Sequence, residues 1–512
     1  MFSHVRSSAP LGVGALPIDI ETHIEPGLPR YTVVGLPDGA VRESRDRIFA
    51  ALKNSDVPRP RGAITINLAP ADVRKEGAAF DLPIALGLLA ASQPDLATDR
   101  LTRHTFLGEL ALDGRVRAVR GVLPMALQAR QQGQVGLMVP AANASEAALV
   151  GDLQVIPVAH LHEALAYLRG AAPPLPGRPT PAVQDARAPS APDLADVCGQ
   201  GLVKRALEVA AAGGHNLLMI GPPGAGKTML AKRLPGLLPP LTADEALETM
   251  AIRSVVGGLM DPADLAIQRP FRAPHHTVSD AGLCGGGSPP RPGEISLAHH
   301  GLLFLDELPE FKRSVLEVLR QPLEAGYIDL CRARSSVRYP ARFMLVASMN
   351  PCPCGHLNDP ARPCVCTPAQ VQRYLHRISG PLLDRIDLHV EVTPVPFAAL
   401  QHPQPAETSA TVRARVEQAR LRQLNRYRTE PGLYCNAQMT SALVRRHARP
   451  DDAGHQLLAR AMEALGLSAR ALNRILKVAR TLADLDGHEA ICAAHVSEAV
   501  QYRSLDRAAW AG

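Results

Sequence analysis

Aromatic side chains are scarce in this sequence, 4% of 512 residues with a single Trp. Its cores must therefore rest on Leu, Val, Ile and Ala. No apolar run approaches the about 18 residues of a membrane span. The opening MFSHVRSSAP lacks the apolar centre of a signal peptide. These absences predict a cytoplasmic protein with no membrane partner. A strong charge imbalance is missing too: 55 basic against 49 acidic residues leave +6, which permits a nucleic-acid partner without requiring one. Nine cysteines in a cytosolic chain read as thiols or metal ligands rather than as a disulfide framework. What remains is ordinary for a globular protein, 46% apolar and 20% charged. The length leaves room for about three domains.

The most informative stretch is Gly221-Pro222-Pro223-Gly224-Ala225-Gly226-Lys227-Thr228. It follows the apolar run from Leu217 to Ile220 and precedes an amphipathic segment, Met229 to Leu234. Strand, glycine-rich turn and helix are the context in which GxxxxGK[ST] binds phosphates. Glycines let backbone N–H groups and a helix N-terminus face the negative charge. Lys227 then reaches the β- and γ-phosphates of ATP, and Thr228 places its hydroxyl on Mg²⁺. Downstream, Gly301 to Glu307 reads as a buried parallel strand ending in two carboxylates. Asp306 is suited to hold Mg²⁺ through water, and Glu307 to polarise the attacking water. Phe343 to Ala347 is another apolar strand, and it delivers Asn350 to orient that water.

In chain order, residues 1–169 alternate strand-like runs (Tyr31 to Gly35, Ala63 to Leu68) with helical ones (Val41 to Leu52, Leu82 to Ala91). Lys75-Glu76-Gly77-Ala78-Ala79-Phe80-Asp81-Leu82-Pro83 resembles the active-site turn of Lon-type proteases, whose domain has a ribosomal-protein-S5-like (S5 domain 2-like) fold. That family places a serine nucleophile two residues after the glycine, where this chain has Ala79. The expectation is a Lon-like fold without peptidase activity. Residues 170–192 are rich in Pro, Ala and Gly and read as an interdomain linker. A helix marked by Leu202, Ala206, Val209 and Ala210 should end at Gly213-Gly214.

Between the phosphate loop and the carboxylate strand lies an insertion, Arg253 to His300. His275, His276, His299 and His300 raise a metal site there, but adjacent pairs do not put two imidazoles on one helix face. Loop-structuring or subunit-contact roles are the expectation. Residues 326–342 read as a hairpin carrying Arg332, Arg334 and Arg338, either a solvated face or a DNA contact. Cys352, Cys354, Cys364 and Cys366 form C-x-C-x9-C-x-C, within residues 352–366. This is either a zinc site or a reduced cysteine-rich loop. Arg385, just before the strand Leu388 to Val392, is placed to reach a neighbouring subunit's γ-phosphate, or to pair with Asp384 or Asp387. Ser409 to Tyr427 is a basic helix, read as a solvated face. Helical periodicity dominates Gln456 to Tyr502, and Arg470 there is a candidate nucleotide contact.

These motifs together resemble the bacterial magnesium-chelatase-like AAA+ ATPases of the YifB/ComM family. The likeness spans KEGAAFDLP, FRAPHHTVSDAGL, GEISLAHHGLLFLDELPEF, ASMNPCPCG, GPLLDRIDLHVEV and LKVARTLADL. It implies an α/β fold: a Lon-like N-terminal domain, an AAA+ P-loop core at 193–400 and a C-terminal helical lid at 401–512. By analogy Lys227 and Thr228 are Walker A, Asp306 and Glu307 Walker B, Asn350 sensor 1, Arg385 the arginine finger and Arg470 sensor 2. The resemblance also implies a homo-hexameric ring that hydrolyses ATP. For ComM-type members it implies a DNA helicase driving branch migration during recombination in natural transformation. A chelatase motor subunit and a protein-remodelling or regulatory ATPase are the rival expectations.

Overall fold

The computed structural model describes residues 1–96, 98–171, 192–257, 269–287, 290–332, 335–357, 362–395, 401, 406–430 and 432–503. Most of the expected linker, and Arg334, lie outside these.

The first 171 residues form an α/β domain on a seven-stranded sheet. Its order is Arg30–Val34, Ala63–Ala69, Gly14–Glu25, Phe2–Leu11, His104–Phe106, Gly136–Pro140, Gln154–Val158. Residues alternate in period two along its long strands, so Ile18, Ile20, Ile24, Ile64, Ile66 and Leu68 all face one buried side. Helix Asp81–Ser92 packs there and is buried from Asp81 to Ala91, as befits a helix apolar on every face. The carboxylate of Asp81 enters this core held by Arg47, at 2.7 Å.

The second domain is built on a five-stranded parallel sheet. The order is Phe271–Arg272, Leu302–Leu305, Met344–Met349, Leu217–Ile220, Leu388–Glu391. The three middle strands are buried along their whole length, which is why they read as unbroken apolar runs. All five point the same way, so their C-terminal ends share one edge of the sheet. The edge strand Phe271–Arg272 comes from the segment expected to be an insertion; two residues carry no periodicity to find. Helix Gly201–Gly213 ends at Gly214, whose φ of +70° suits glycine.

The two domains share a core. Helix Val122–Gln131 packs on helix Ala243–Val256, bringing Leu123, Met125 and Ala126 together with Ala246, Met250 and Ala251. The backbone N–H of Gly121 donates to the Ser254 carbonyl at 3.0 Å.

The C-terminal residues are helical: Ser409–Arg426, Ser441–His447, Asp452–Leu465, Ala469–Asp486 and Ala493–Gln501. They join the apolar cluster of the parallel sheet through Val416, Ala419, Val478 and Leu482. The basic helix is a solvated face only in part: Arg413 is exposed and pairs with Glu417 of the same helix. Arg415 pairs with Glu208 at 2.6 Å and Glu407 at 2.7 Å, and Arg420 donates to the Ala211 carbonyl. Arg426 and Arg480 converge on the buried carboxylate of Asp484. Arg415, Arg420, Arg426 and Arg480 thus staple this domain to the core and to itself.

Candidate nucleotide site

Strand Leu217–Ile220 runs directly into the glycine-rich loop. A Cβ on Gly221 would lie 2.2 Å from the Val392 carbonyl oxygen, so only glycine lets the loop lie against the next strand. Gly224 and Gly226 take φ of +79° and +91°, values L side chains avoid. Helix Lys227–Ala231 starts at once and is followed by a 3₁₀ turn, Leu234–Leu237, so the expected amphipathic segment is split. Lys227 Nζ donates to the carbonyls of Gly221 (2.6 Å) and Pro222 (3.0 Å) and to Asn350 Oδ1 (3.0 Å). Burial lowers its pKa, while Asp306 and Glu307 act the other way. Phosphate oxygens can replace the two carbonyls as acceptors of the Lys227 ammonium.

Thr228 Oγ1 donates to Asp306 Oδ2 at 2.6 Å. A hydroxyl and a carboxylate facing each other at the mouth of a phosphate loop offer two oxygen ligands to one hard cation. Glu307 is exposed and has φ of +55°, the left-handed region that costs a non-glycine residue about 1–3 kcal/mol. Sequence reasoning missed the residue that fixes this turn. Ser348, fully buried, donates to Asp306 Oδ1 and accepts the backbone N–H of Glu307 at 3.3 Å. Nothing but its place on the strand that delivers Asn350 signals that role. Beside the loop, Gln200 donates to the Thr393 carbonyl at 2.5 Å, which ties the turn before helix Gly201–Gly213 to the end of strand Leu388–Glu391.

The four cysteines converge. Cys352 Sγ lies 3.4 Å from Cys354 Sγ and 3.7 Å from Cys364 Sγ; Cys354 and Cys364 are 3.6 Å apart. Cys366 Sγ accepts the backbone N–H of Cys354 at 3.4 Å. A tetrahedral zinc with bonds of about 2.3 Å spaces its sulfurs about 3.8 Å apart, so the set fits that ion. Backbone N–H groups of His356 and Val365 pull the Cys354 thiol down to about 6, toward the thiolate a metal needs.

Arg385 stands elsewhere. Arg385 pairs with Glu324 at 2.5 Å rather than with Asp384 or Asp387, and donates to the Pro381 carbonyl. It precedes the strand Leu388–Glu391, so it lies at the sheet edge opposite the phosphate loop. Arg474 bonds Asp387 and the Arg385 carbonyl. Arg470, exposed, stands one helical turn before Arg474 at the start of helix Ala469–Asp486. Asp387 is held well below the usual carboxylate range by Arg474 and His215 against the opposing effect of burial. A cavity of about 750 Å³ opens here, lined by Asn216, Glu324, Arg474 and Lys477. None of residues 221–228 lines it.

Residues 193–400 match the family described as magnesium chelatase, subunit ChlI. Residues 20–143 and 406–503 match further regions of that subunit, the latter its C-terminal part. "Uncharacterized protein YifB" of Escherichia coli (strain K12) is 47% identical over 506 residues, 99% of this chain and 97% of its own. "Competence protein ComM" of Haemophilus influenzae is 46% identical over 509 residues, 98% and 97% of the two chains. The chain belongs to the YifB/ComM family of magnesium-chelatase-like AAA+ proteins. "Magnesium-chelatase 38 kDa subunit" of Cereibacter sphaeroides is 27% identical over 30% of this chain and 51% of its own.

This YifB/ComM-type chain places the other expected residues as follows. His299 and His300 both direct Nε2 at Glu248, at 2.9 and 2.8 Å. His299 Nδ1 accepts the Arg342 backbone N–H at 3.0 Å, which in neutral imidazole leaves the proton on Nε2. A metal beside Glu248 would need a lone pair on Nε2, which this tautomer of His299 lacks. The trio is a hydrogen-bonded brace, and loop structuring is the role it supports. The hairpin forms from Tyr327–Arg332 and Ser335–Pro340. Arg332 ends its first strand, and Arg338 is neutralised by Asp329 at 2.8 Å while lying over the Tyr327 ring. Ala79 follows Gly77 on a turn that the Asp38 carboxylate caps. No helix among the described residues is long and apolar enough to cross a membrane.

Proposed function

We propose that this protein is an ATP-hydrolysing, ring-forming AAA+ motor that acts on DNA, as a helicase promoting branch migration during recombination of transforming DNA. The observation that carries the ATPase part is the meeting of Lys227 and Thr228 with Asp306 and Asn350 at one sheet edge. Residues 221–228 cradle the triphosphate with backbone N–H groups, and Lys227 binds its outer phosphates. Thr228 and Asp306 hold Mg²⁺, which when bound screens the phosphate charge. Glu307 polarises the attacking water and Asn350 orients it.

Arg385 and Arg470 serve the neighbouring subunit's site, because Arg385 belongs to the edge away from its own phosphate loop. That division of labour supports a homo-hexamer. Similarity to a protein named for competence supports the DNA reading, and Arg332 and Arg334 are its proposed phosphate contacts. Cys352, Cys354, Cys364 and Cys366 hold Zn²⁺. The N-terminal domain is a Lon-like fold without peptidase activity, since Ala79 has no nucleophile, and the C-terminal helices are the lid.

The neutral Arg338–Asp329 pair on the hairpin favours a second reading, a protein-remodelling ATPase indifferent to DNA. Turnover with and without single-stranded and four-way-junction DNA separates the two. DNA stimulation with junction unwinding supports the helicase; turnover unchanged by either DNA supports remodelling.

A further inference from the structure

The four-cysteine loop touches the nucleotide site at three points. Cys352 is two residues beyond Asn350, whose side-chain oxygen accepts from Lys227. A Cβ on Gly355, which has φ of +84°, would lie 2.5 Å from Pro223 Cδ, so the loop's backbone rests on the phosphate loop itself. Cys366 leads directly into helix Pro368–Leu375, started by the Thr367–Gln370 capping box. That helix buries Tyr374, whose hydroxyl faces the backbone N–H of Asn350. Asn350 is thus gripped on both sides by one short segment, and four thiols hold the segment's ends together.

We propose that the metal-loaded cysteine loop is a brace for the phosphate site, its zinc setting the position of Asn350 and of the Pro223 wall and so the affinity and turnover of ATP. This rests on the zinc reading above. Cross-linking four thiolates closes the loop from Cys352 to Cys366. With the metal gone, Cys352 no longer anchors the peptide after Asn350, and Gly355 no longer presses on Pro223. Lys227 then loses a fixed partner. A shift of about 1 Å in such a group can cost about a hundredfold in rate. Tyr374 acts through Asn350 and is a positioning residue.

The experiment uses the full chain. Zinc is counted by elemental analysis, then stripped with a thiol-directed mercurial and chelator and restored. A fluorescent ATP analogue and circular dichroism are read at each stage. We expect one zinc per chain, nucleotide binding weakened about tenfold to a hundredfold on stripping, and recovery on zinc return. Gly355→Ala should keep its zinc and its helix content yet weaken nucleotide binding, because its Cβ displaces Pro223. Tyr374→Phe should lower turnover more than affinity. A folded protein without zinc overturns the metal reading on which the brace rests. A zinc-loaded protein whose stripped form and Gly355→Ala variant both bind nucleotide normally overturns the brace and leaves the zinc site standing. If stripping unfolds the chain, Gly355→Ala alone decides.

Discussion

The Thr228 hydroxyl stands 2.6 Å from the Asp306 carboxylate, joining two segments 78 residues apart at the C-terminal edge of one parallel sheet. Neither residue alone defines a cation site. Together, with Ser348 fixing the second carboxylate oxygen, they offer one hard cation two oxygen ligands.

Lys227→Ala should abolish or severely weaken ATP binding, since its ammonium is the cation that contacts both the loop and Asn350. Glu307→Gln should bind normally and turn over about 10²–10⁴-fold more slowly, the usual scale for losing a general base. Nucleotide titration alongside steady-state phosphate release checks both. Normal turnover in either variant would sink the assignment.

Arg385→Ala should bind ATP nearly as well as the parent and hydrolyse it poorly. Fingers supplied in trans contribute about 10³–10⁵ in rate in GTPases. Mixing Arg385→Ala with Lys227→Ala chains should recover part of the activity, because one supplies a pocket and the other a finger. Mixtures no more active than their components rule out action in trans. Losing the pair with half-exposed Glu324 should cost little stability.

Asp484→Ala should be among the most damaging changes outside the nucleotide site. Its carboxylate, 1% exposed, receives Arg426, Arg480 and Asn436. Removing it strands two arginines in the core, about 3–5 kcal/mol for a broken buried pair. Chemical denaturation followed by far-ultraviolet circular dichroism measures this; a loss below about 1 kcal/mol would show that the staple is dispensable.

Acid should destabilise the fold in two stages. Burial pushes His299 down to about 4, against about 6.5 in an unfolded chain. Between those values the unfolded state binds a proton that the folded state refuses, so stability falls as pH drops from about 6.5 to 4, by up to about 3 kcal/mol. Below about pH 4 the depressed carboxylates Glu248 and Asp387 add a loss of the same sign as they take up protons. His299→Asn, whose Oδ1 can still accept the Arg342 N–H, should flatten the first stage and, by removing the hydrogen bond that helps hold Glu248 down, weaken part of the second. Denaturation midpoints across pH 4–7 test it, and an unchanged slope assigns the proton uptake to another group.

The phosphate loop, the carboxylate strand and Asn350 were legible because each is a local motif whose chemistry needs that order of residues. The buried parallel strands were legible for a similar reason, as unbroken apolar runs. Ser348 was not, since a serine in an apolar strand gains its meaning from a carboxylate 42 residues away. The arginines of Ser409–Arg426 misled because their acidic partners, Glu208 and Asp484, lie far off in sequence. The loop-structuring role of His299 and His300 was expected, but not their convergence: His300 has φ of +55°, and off a helix adjacent imidazoles can share one acceptor.

Helix Ala243–Val256 meets the N-terminal domain through Met250 and Ala251, and it meets His299 and His300 through Glu245 and Glu248. Those histidines sit immediately ahead of the strand that ends in Asp306. The helix is therefore a lever with one arm on each domain. The contacts through this helix give the first 171 residues a route to Asp306 and Glu307 other than residues 172–191. That route runs sideways, through a helix and two imidazoles, into the root of the strand that presents them.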